Sequence, residues 1–309
     1  MRHLVTLFDM QASELEPLFQ ATEELKSQLN NGTRQPLFPG HVLGLLFEKP
    51  SLRTRVSFET AIAHLGGNCI YLGQEAGWGN RESVADFARV VSQYVDILVC
   101  RAKRHESVTE LARYCTCPVI NGLTDLAHPC QALADLYTLR EEFGSLKGKT
   151  LAFVGDGNNV ARSLAVACAY AGVRFILAAP EGYRLCDTFL LELKQRVPHA
   201  CIEMVDSPQR AVTEADAVYT DVWTSMGQEE EREERRQIFA DYQVNAKLMA
   251  GAPPSAVFLH CLPAHRGEEV TDDVMDGAQS RVIRQAANRM HVQKAVLVWL
   301  LQARTKEHN

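Results

Sequence analysis

Two hydroxyls and two guanidiniums crowd into Ser51-Leu52-Arg53-Thr54-Arg55, where a predicted helix follows the apolar run Val42 to Phe47. The first turn of a helix offers N–H groups and positive dipole, and hydroxyl and guanidinium donors beside it can saturate the oxygens of a phosphate. The same residues suit a Ser51 N-cap flanked by surface arginines, and spacing alone leaves the two readings level. Position favours the anion, because ligands of open α/β sheets sit beyond the carboxyl ends of strands, where this segment falls.

Five further segments carry usable chemistry. His128-Pro129-Cys130-Gln131 opens a helix and places an imidazole and an amide three residues apart, both able to hydrogen-bond a carbonyl. A lone histidine at a helix start is more often structural. Gly155-Asp156-Gly157-Asn158-Asn159 resembles a dinucleotide turn, but Val160 stands where the third glycine belongs, and the next strand ends at Ala178-Ala179-Pro180 without a ribose-binding acid. The turn is therefore read as a site for substrate polar groups, with Asn159 as the contact. Asp221-Val222-Trp223-Thr224-Ser225-Met226-Gly227 follows a predicted strand, and its Asp can hold an ammonium group. His260-Cys261-Leu262-Pro263-Ala264-His265 lies at another strand end. A cysteine hydrolase or a metal site there lacks the accompanying elbow or zinc spacing. Arg289 stands at the exposed start of a last helix, predicted from Asn288 onward.

The elements that must position these residues alternate strand and helix. Leu15, Leu18, Phe19, Leu25 and Leu29 form a helical stripe over residues 13–30, with Ser13 and Glu16 as an expected capping box. Short apolar runs predict strands near 42–47, 69–72, 96–99 and 118–120, then near 151–155, 174–179, 201–205, 216–221, 256–260 and 281–284. Helices are expected near 53–65, 82–94, 106–114 and 129–143. The fold class is α/β, with two doubly wound domains, each a mostly parallel sheet flanked by helices, linked by two interdomain helices. The first domain covers residues 1–143 and the C-terminal helix 288–309; the second covers 144–287. Glu229 to Arg236 reads as a solvated, charge-paired helix.

Bulk properties agree with a small-molecule enzyme. At 309 residues the chain exceeds one core. A net charge of -6 without a Lys/Arg block argues against nucleic acid. Nine scattered cysteines without scaffold spacing point to reduced thiols and a cytoplasmic setting. Cys115-Thr116-Cys117 is a poor zinc signature. No run of about 18 apolar residues occurs, so membrane spanning is not expected, and the opening residues lack a secretory h-region.

In this order the segments resemble the aspartate/ornithine carbamoyltransferase family, whose S-x-R-T-R loop and H-P-x-Q element both stand intact over a likeness spanning residues 4–303. Asp221 to Gly227 and His260 to Pro263 look like its ornithine-specific members. The resemblance implies that Ser51, Leu52, Arg53, Thr54, Arg101, His128 and Gln131 hold carbamoyl phosphate. It implies that Asn159, Asp221, Ser225 and Met226 meet the amino acid's α-amino and carboxylate groups between the domains. Cys261, Leu262 and Arg289 line the reacting end, also touching the donor, and Arg53, Arg101, His128, Cys261 and Arg289 form the catalytic set. A neutral δ-amine of L-ornithine attacks the carbamoyl carbon and phosphate leaves, with no metal or organic cofactor, at a rate that rises with pH as free amine grows.

The resemblance also implies a homotrimer, or a multiple of trimers, in which a neighbour's Gln or His reaches the phosphate. The corresponding stretch, Glu75 to Arg81, carries neither, although Gln74 lies just before it. Aspartate as acceptor is disfavoured by Asp221 and Met226. Acetylornithine or putrescine as acceptor, a nicotinamide-dependent dehydrogenase, and an inactive relative serving as an interaction protein are the alternatives.

Overall fold

The computed structural model describes residues 1–78, 81–224 and 229–308. By internal contacts the chain divides into residues 1–131 with 289–309, and residues 132–288.

In the first unit, β1 (Val42–Phe47), β2 (Asn68–Leu72), β3 (Ile97–Arg101) and β4 (Val119–Leu123) form an all-parallel sheet in the order β2-β1-β3-β4. β1 from Leu43 onward and β3 are buried on both faces, as their apolar runs require, with Arg101 the one charged residue at the end of β3. Gly44 lies in β1 where a Cβ would come within 2.8 Å of Leu98 Cδ1, so a larger residue there would have to displace that side chain. Around the sheet run α1 (Leu15–Asn30), α2 (Leu52–His64), α3 (Val84–Val91) and α4 (His105–Tyr114). The expected Ser13–Glu16 capping box does not form. Ser13 lies inside a short 3-10 turn, and it is Glu14 whose carboxylate accepts the Gln11 N–H at 2.9 Å.

In the second unit, β5 (Thr150–Val154), β6 (Arg174–Ala178), β7 (Ile202–Val205), β8 (Ala217–Thr220) and β9 (Val257–His260) make a parallel sheet in the order β7-β6-β5-β8-β9. Its helices are α6 (Asn159–Ala171), α7 (Asp187–Arg196), α8 (Pro208–Val212), α9 (Arg232–Ile238), α10 (Ala246–Met249) and α11 (Asp272–Met275), while α5 (Pro129–Phe143) and α12 (Val282–His308) each have one end in either unit. From Val160 to Ala169 every residue of α6 but Arg162 is buried. That burial matches its apolar surface on all sides.

Two expectations are corrected. Residues 281–284 are not a strand; α12 begins at Val282, before the expected start at Asn288. Its first turns are fixed to α5 by a row of polar bonds: Arg281 to Glu142 at 2.6 and 2.8 Å, Gln285 to Asp135 at 2.7 Å, and Asn288 to Thr138 at 3.0 Å and to Glu141 at 2.7 Å. The acidic-basic run is not wholly solvated either. Arg235 in α9 is 5% exposed, bound to Asp156 at 2.8 Å and to the Trp223 carbonyl at 3.0 Å. Among the described residues, no helix is long and apolar enough to cross a membrane.

Candidate functional site

In the first unit, β1 delivers the chain to a loop that ends at Ser51, whose extended backbone (φ -153, ψ 104) starts α2. The Ser51 hydroxyl does not cap the helix; it donates to Thr54 Oγ1 at 3.0 Å. The first helical bond runs from the Arg55 N–H to the Ser51 carbonyl at 3.0 Å. The N–H groups of Leu52, Arg53 and Thr54 therefore project from the helix start, as an anion site requires. The Leu52 side chain itself is 78% exposed, so any contact it makes with a bound phosphate is through its backbone.

Three donors converge on the buried Thr54 hydroxyl. Arg289 Nη2 lies 3.1 Å from Oγ1 and Arg101 Nη1 lies 3.5 Å away, alongside Ser51. Arg101 is the last residue of β3, and its carbonyl accepts the Glu48 N–H at 2.9 Å, which ties the phosphate loop to that strand end. Glu48 also accepts the Lys103 N–H at 2.6 Å. Arg53 is exposed and makes no ion pair among the described residues. Arg55, the second arginine of the motif, is committed elsewhere: it bonds Glu59 at 2.8 Å and lies 4.1 Å over the Tyr71 ring.

His128 and Gln131 are buried at the start of α5. The turn before them is held by Asn121, whose amide reaches Thr124 Oγ1 at 3.1 Å, and by the Thr124 N–H on the Ala127 carbonyl at 3.0 Å. Burial, with Arg289 and Arg101 close by, pushes the His128 imidazole well below its ordinary value. It is therefore neutral and can donate an N–H to a carbonyl oxygen. Gln74, the near candidate for a crossing residue, bonds the Glu48 carbonyl of its own chain at 2.9 Å, and Trp78 packs against Phe87.

In the second unit the analogous strand ends carry Asp221 and Cys261. Asp221 is 8% exposed. Its carboxylate accepts the Cys261 thiol at 3.0 Å, the Asn158 amide at 2.9 Å and the Val222 N–H at 2.8 Å. Burial and the neighbouring Asp221 push the Cys261 thiol well above its usual range, so it is a hydrogen-bond donor and not a thiolate. Both nitrogens of the buried His260 ring are used, Nδ1 by the Leu262 N–H at 2.9 Å and Nε2 by Glu269 at 3.1 Å. That removes the imidazole as a base or ligand beside Cys261. Leu262 is held at φ 59, directly after the cysteine.

Asn159 is half-buried at the start of α6, its side chain accepting the Val160 N–H at 3.0 Å. Its neighbour Asn158 caps that helix, accepting from Val160 at 2.9 Å and Ala161 at 3.1 Å. These N–H groups would have to receive a dinucleotide's pyrophosphate, so the cap opposes the dehydrogenase reading. Ser225 and Met226 lie outside the described residues.

Sequence reasoning passed over Asn158, which touches Asp221, and over Asp135, Tyr219 and Gln285 behind it. Only the doubled asparagine pointed to the first. The other three come from distant segments, and nothing local marks them.

A family model described as "Aspartate/ornithine carbamoyltransferase, carbamoyl-P binding domain" matches residues 2–141, and its counterpart, "Asp/Orn binding domain", matches residues 147–300. The ornithine carbamoyltransferase of Methanopyrus kandleri is 49% identical over 304 residues, covering 97% of each chain. An anabolic ornithine carbamoyltransferase of Pyrococcus furiosus is 48% identical over 303 residues, covering 97% of this chain and 96% of the relative. The solved structure of ornithine carbamoyltransferase from Pyrococcus furiosus aligns with a TM-score of 0.94 at 47% identity, covering 97% of each chain.

Proposed function

The chain belongs to the aspartate/ornithine carbamoyltransferase family, and we infer that it transfers the carbamoyl group of carbamoyl phosphate to the δ-amine of L-ornithine, giving L-citrulline and phosphate. The observation that carries the donor half is the convergence of Ser51, Arg101 and Arg289 on Thr54 at the start of α2. A phosphate placed there would meet the helix N–H groups and the guanidiniums of Arg53, Arg101 and Arg289. His128, neutral, would donate to the carbamoyl oxygen, and Gln131 would bond the carbamoyl amide.

The acceptor half rests on Asp221, a buried carboxylate suited to a cationic amino group, with Asn159, Ser225 and Met226 completing recognition of the α-amino and carboxylate groups. The uncharged δ-amine attacks the carbamoyl carbon. A C–N bond forms, the C–O bond to phosphate breaks, and the amine's proton passes to phosphate or solvent. Arginines already aimed at the oxygens where negative charge develops lower this barrier without reorganising.

The name of the Pyrococcus furiosus relative supports a biosynthetic direction, toward arginine. The free cysteines among the described residues support a cytoplasmic setting. A homotrimer is supported by exposed apolar residues Leu52 and Val56 on α2 and Ile70 on β2, at 78%, 48% and 46% exposure.

A ureido-product assay with carbamoyl phosphate and ornithine, acetylornithine, putrescine or aspartate in parallel tests the acceptor. Product from ornithine alone is expected; product only with another amine would reassign it. Arg53→Ala should lower kcat roughly 10²-fold or more. Its stability should stay within about 0.5 kcal/mol of the parent, as the side chain is exposed.

A further inference from the structure

Behind Asp221 and Cys261 lies a second carboxylate that the proposed chemistry does not use. Asp135, on α5, is fully buried. Its Oδ2 accepts the Tyr219 hydroxyl at 3.1 Å and its Oδ1 accepts Gln285 Nε2 at 2.7 Å. Gln285 also lies 3.2 Å from the Tyr219 hydroxyl, and its Oε1 accepts the His260 N–H at 2.9 Å. The network thus grips β8 two residues before Asp221 and β9 one residue before Cys261.

Burying a carboxylate is unfavourable unless the protein uses the charge or holds it tightly. The groups that face the Cys261 thiol are Asp221 from the loop after β8, Tyr219 from β8 and Asp135 from α5. The adjacent His260 turns its ring away to Glu269. Burial and the two carboxylates oppose a thiolate, and the single Tyr219 hydroxyl proton goes to Asp135.

We propose that Asp135, Gln285 and Tyr219 are positioning residues for the acceptor half of the reaction, aligning the ends of β8 and β9 and keeping Cys261 as the hydrogen-bond donor that orients Asp221. The proposal rests on the acceptor reading of the second unit given above. Such a network acts on ornithine binding and on the Cys261 thiol together, and leaves the carbamoyl phosphate contacts of the first unit alone.

The experiment uses full-length enzyme and its Asp135→Asn, Tyr219→Phe and Asp135→Asn/Gln285→Glu variants, with folding checked by circular dichroism. Alkylation of Cys261 by iodoacetamide at about pH 9, followed by peptide mass spectrometry, reads the thiol directly. Asp135→Asn, which removes a carboxylate from behind the thiol, should alkylate several-fold faster than the parent, and the double variant, which restores a carboxylate at position 285, should return toward the parent rate; loosened packing would speed both. The KM for ornithine should rise about tenfold in Asp135→Asn while that for carbamoyl phosphate changes by less than about twofold. The double variant moves the carboxylate to position 285 and supplies the Asn amide as its donor, and should recover most of the ornithine affinity.

An Asp135→Asn alkylation rate equal to the parent's, a double variant as fast as Asp135→Asn, or KM values that move together would overturn the proposal. If Asp135→Asn does not fold, Tyr219→Phe, which removes the link from Asp135 to β8, carries the same KM comparison. Should the parent make no product from ornithine, the acceptor reading fails on its own, since alkylation reports on the network without turnover.

Discussion

Thr54 shows how one small side chain can define a ligand. A hydroxyl oxygen has two lone pairs, yet Ser51, Arg101 and Arg289 all point donors at it. Such a place welcomes a partner rich in acceptors. His128 beside it has a testable signature. Its folded value lies well below the ordinary 6.5, so the unfolded chain takes up the proton first. Its contribution to stability is full above 6.5 and falls as the pH drops below that value. Urea midpoints between about pH 7.5 and pH 5 should therefore decline on the acid side, and His128→Gln should lose less over that range. An equal decline in both proteins would mean that His128 is not the group responsible. The motif Ser51 to Arg55 was legible in the sequence because its donors are adjacent in the chain. The split between Arg53, which stays available, and Arg55, which goes to Glu59 and Tyr71, was not, because it depends on which side of the helix meets β2.

Elements repeat the lesson. Apolar runs such as Val42 to Phe47 announced nine strands because buried parallel strands need side chains apolar on both faces. Arg281-Val282-Ile283-Arg284 looked like one more. What makes it helical is the polar spacing 281, 285, 288, which matches a row of partners on α5 rather than a neighbouring strand. Glu229 to Arg236 hid its buried member for a related reason: the acid that fixes Arg235 is Asp156, in the turn after β5. Arg235→Ala would leave that largely covered carboxylate without its cation, which costs roughly 3 kcal/mol. Thermal unfolding of the variant should come about 6–12 °C earlier, and a shift under about 2 °C would mean that the bond is dispensable. Gly157 explains the tightness of the same turn, since a Cβ there would stand 2.9 Å from the backbone of Tyr183, Arg184 and Leu185.

For the whole molecule, the exposed apolar residues of α2 and β2 bear on assembly. If Leu52, Val56 and Ile70 meet a second copy, Val56→Asp should shift the native mass from three times the 34.4 kDa chain toward a single chain, read by light scattering. An unchanged mass would place the interface elsewhere. The two-unit organisation itself was readable from the alternation of strands and helices. The chain passes from one unit to the other between residues 131 and 132 and between 288 and 289, inside the unbroken helices α5 and α12. The strand orders β2-β1-β3-β4 and β7-β6-β5-β8-β9 each reverse direction once, beside β1 and beside β5. The proposed donor contacts gather at the first reversal and the acceptor contacts at the second, as open sheets prescribe. Recognition is thereby factorised. A lineage built on this plan can exchange one amine for another by redrawing loops in a single sheet, leaving the chemistry of the activated carbamoyl group untouched.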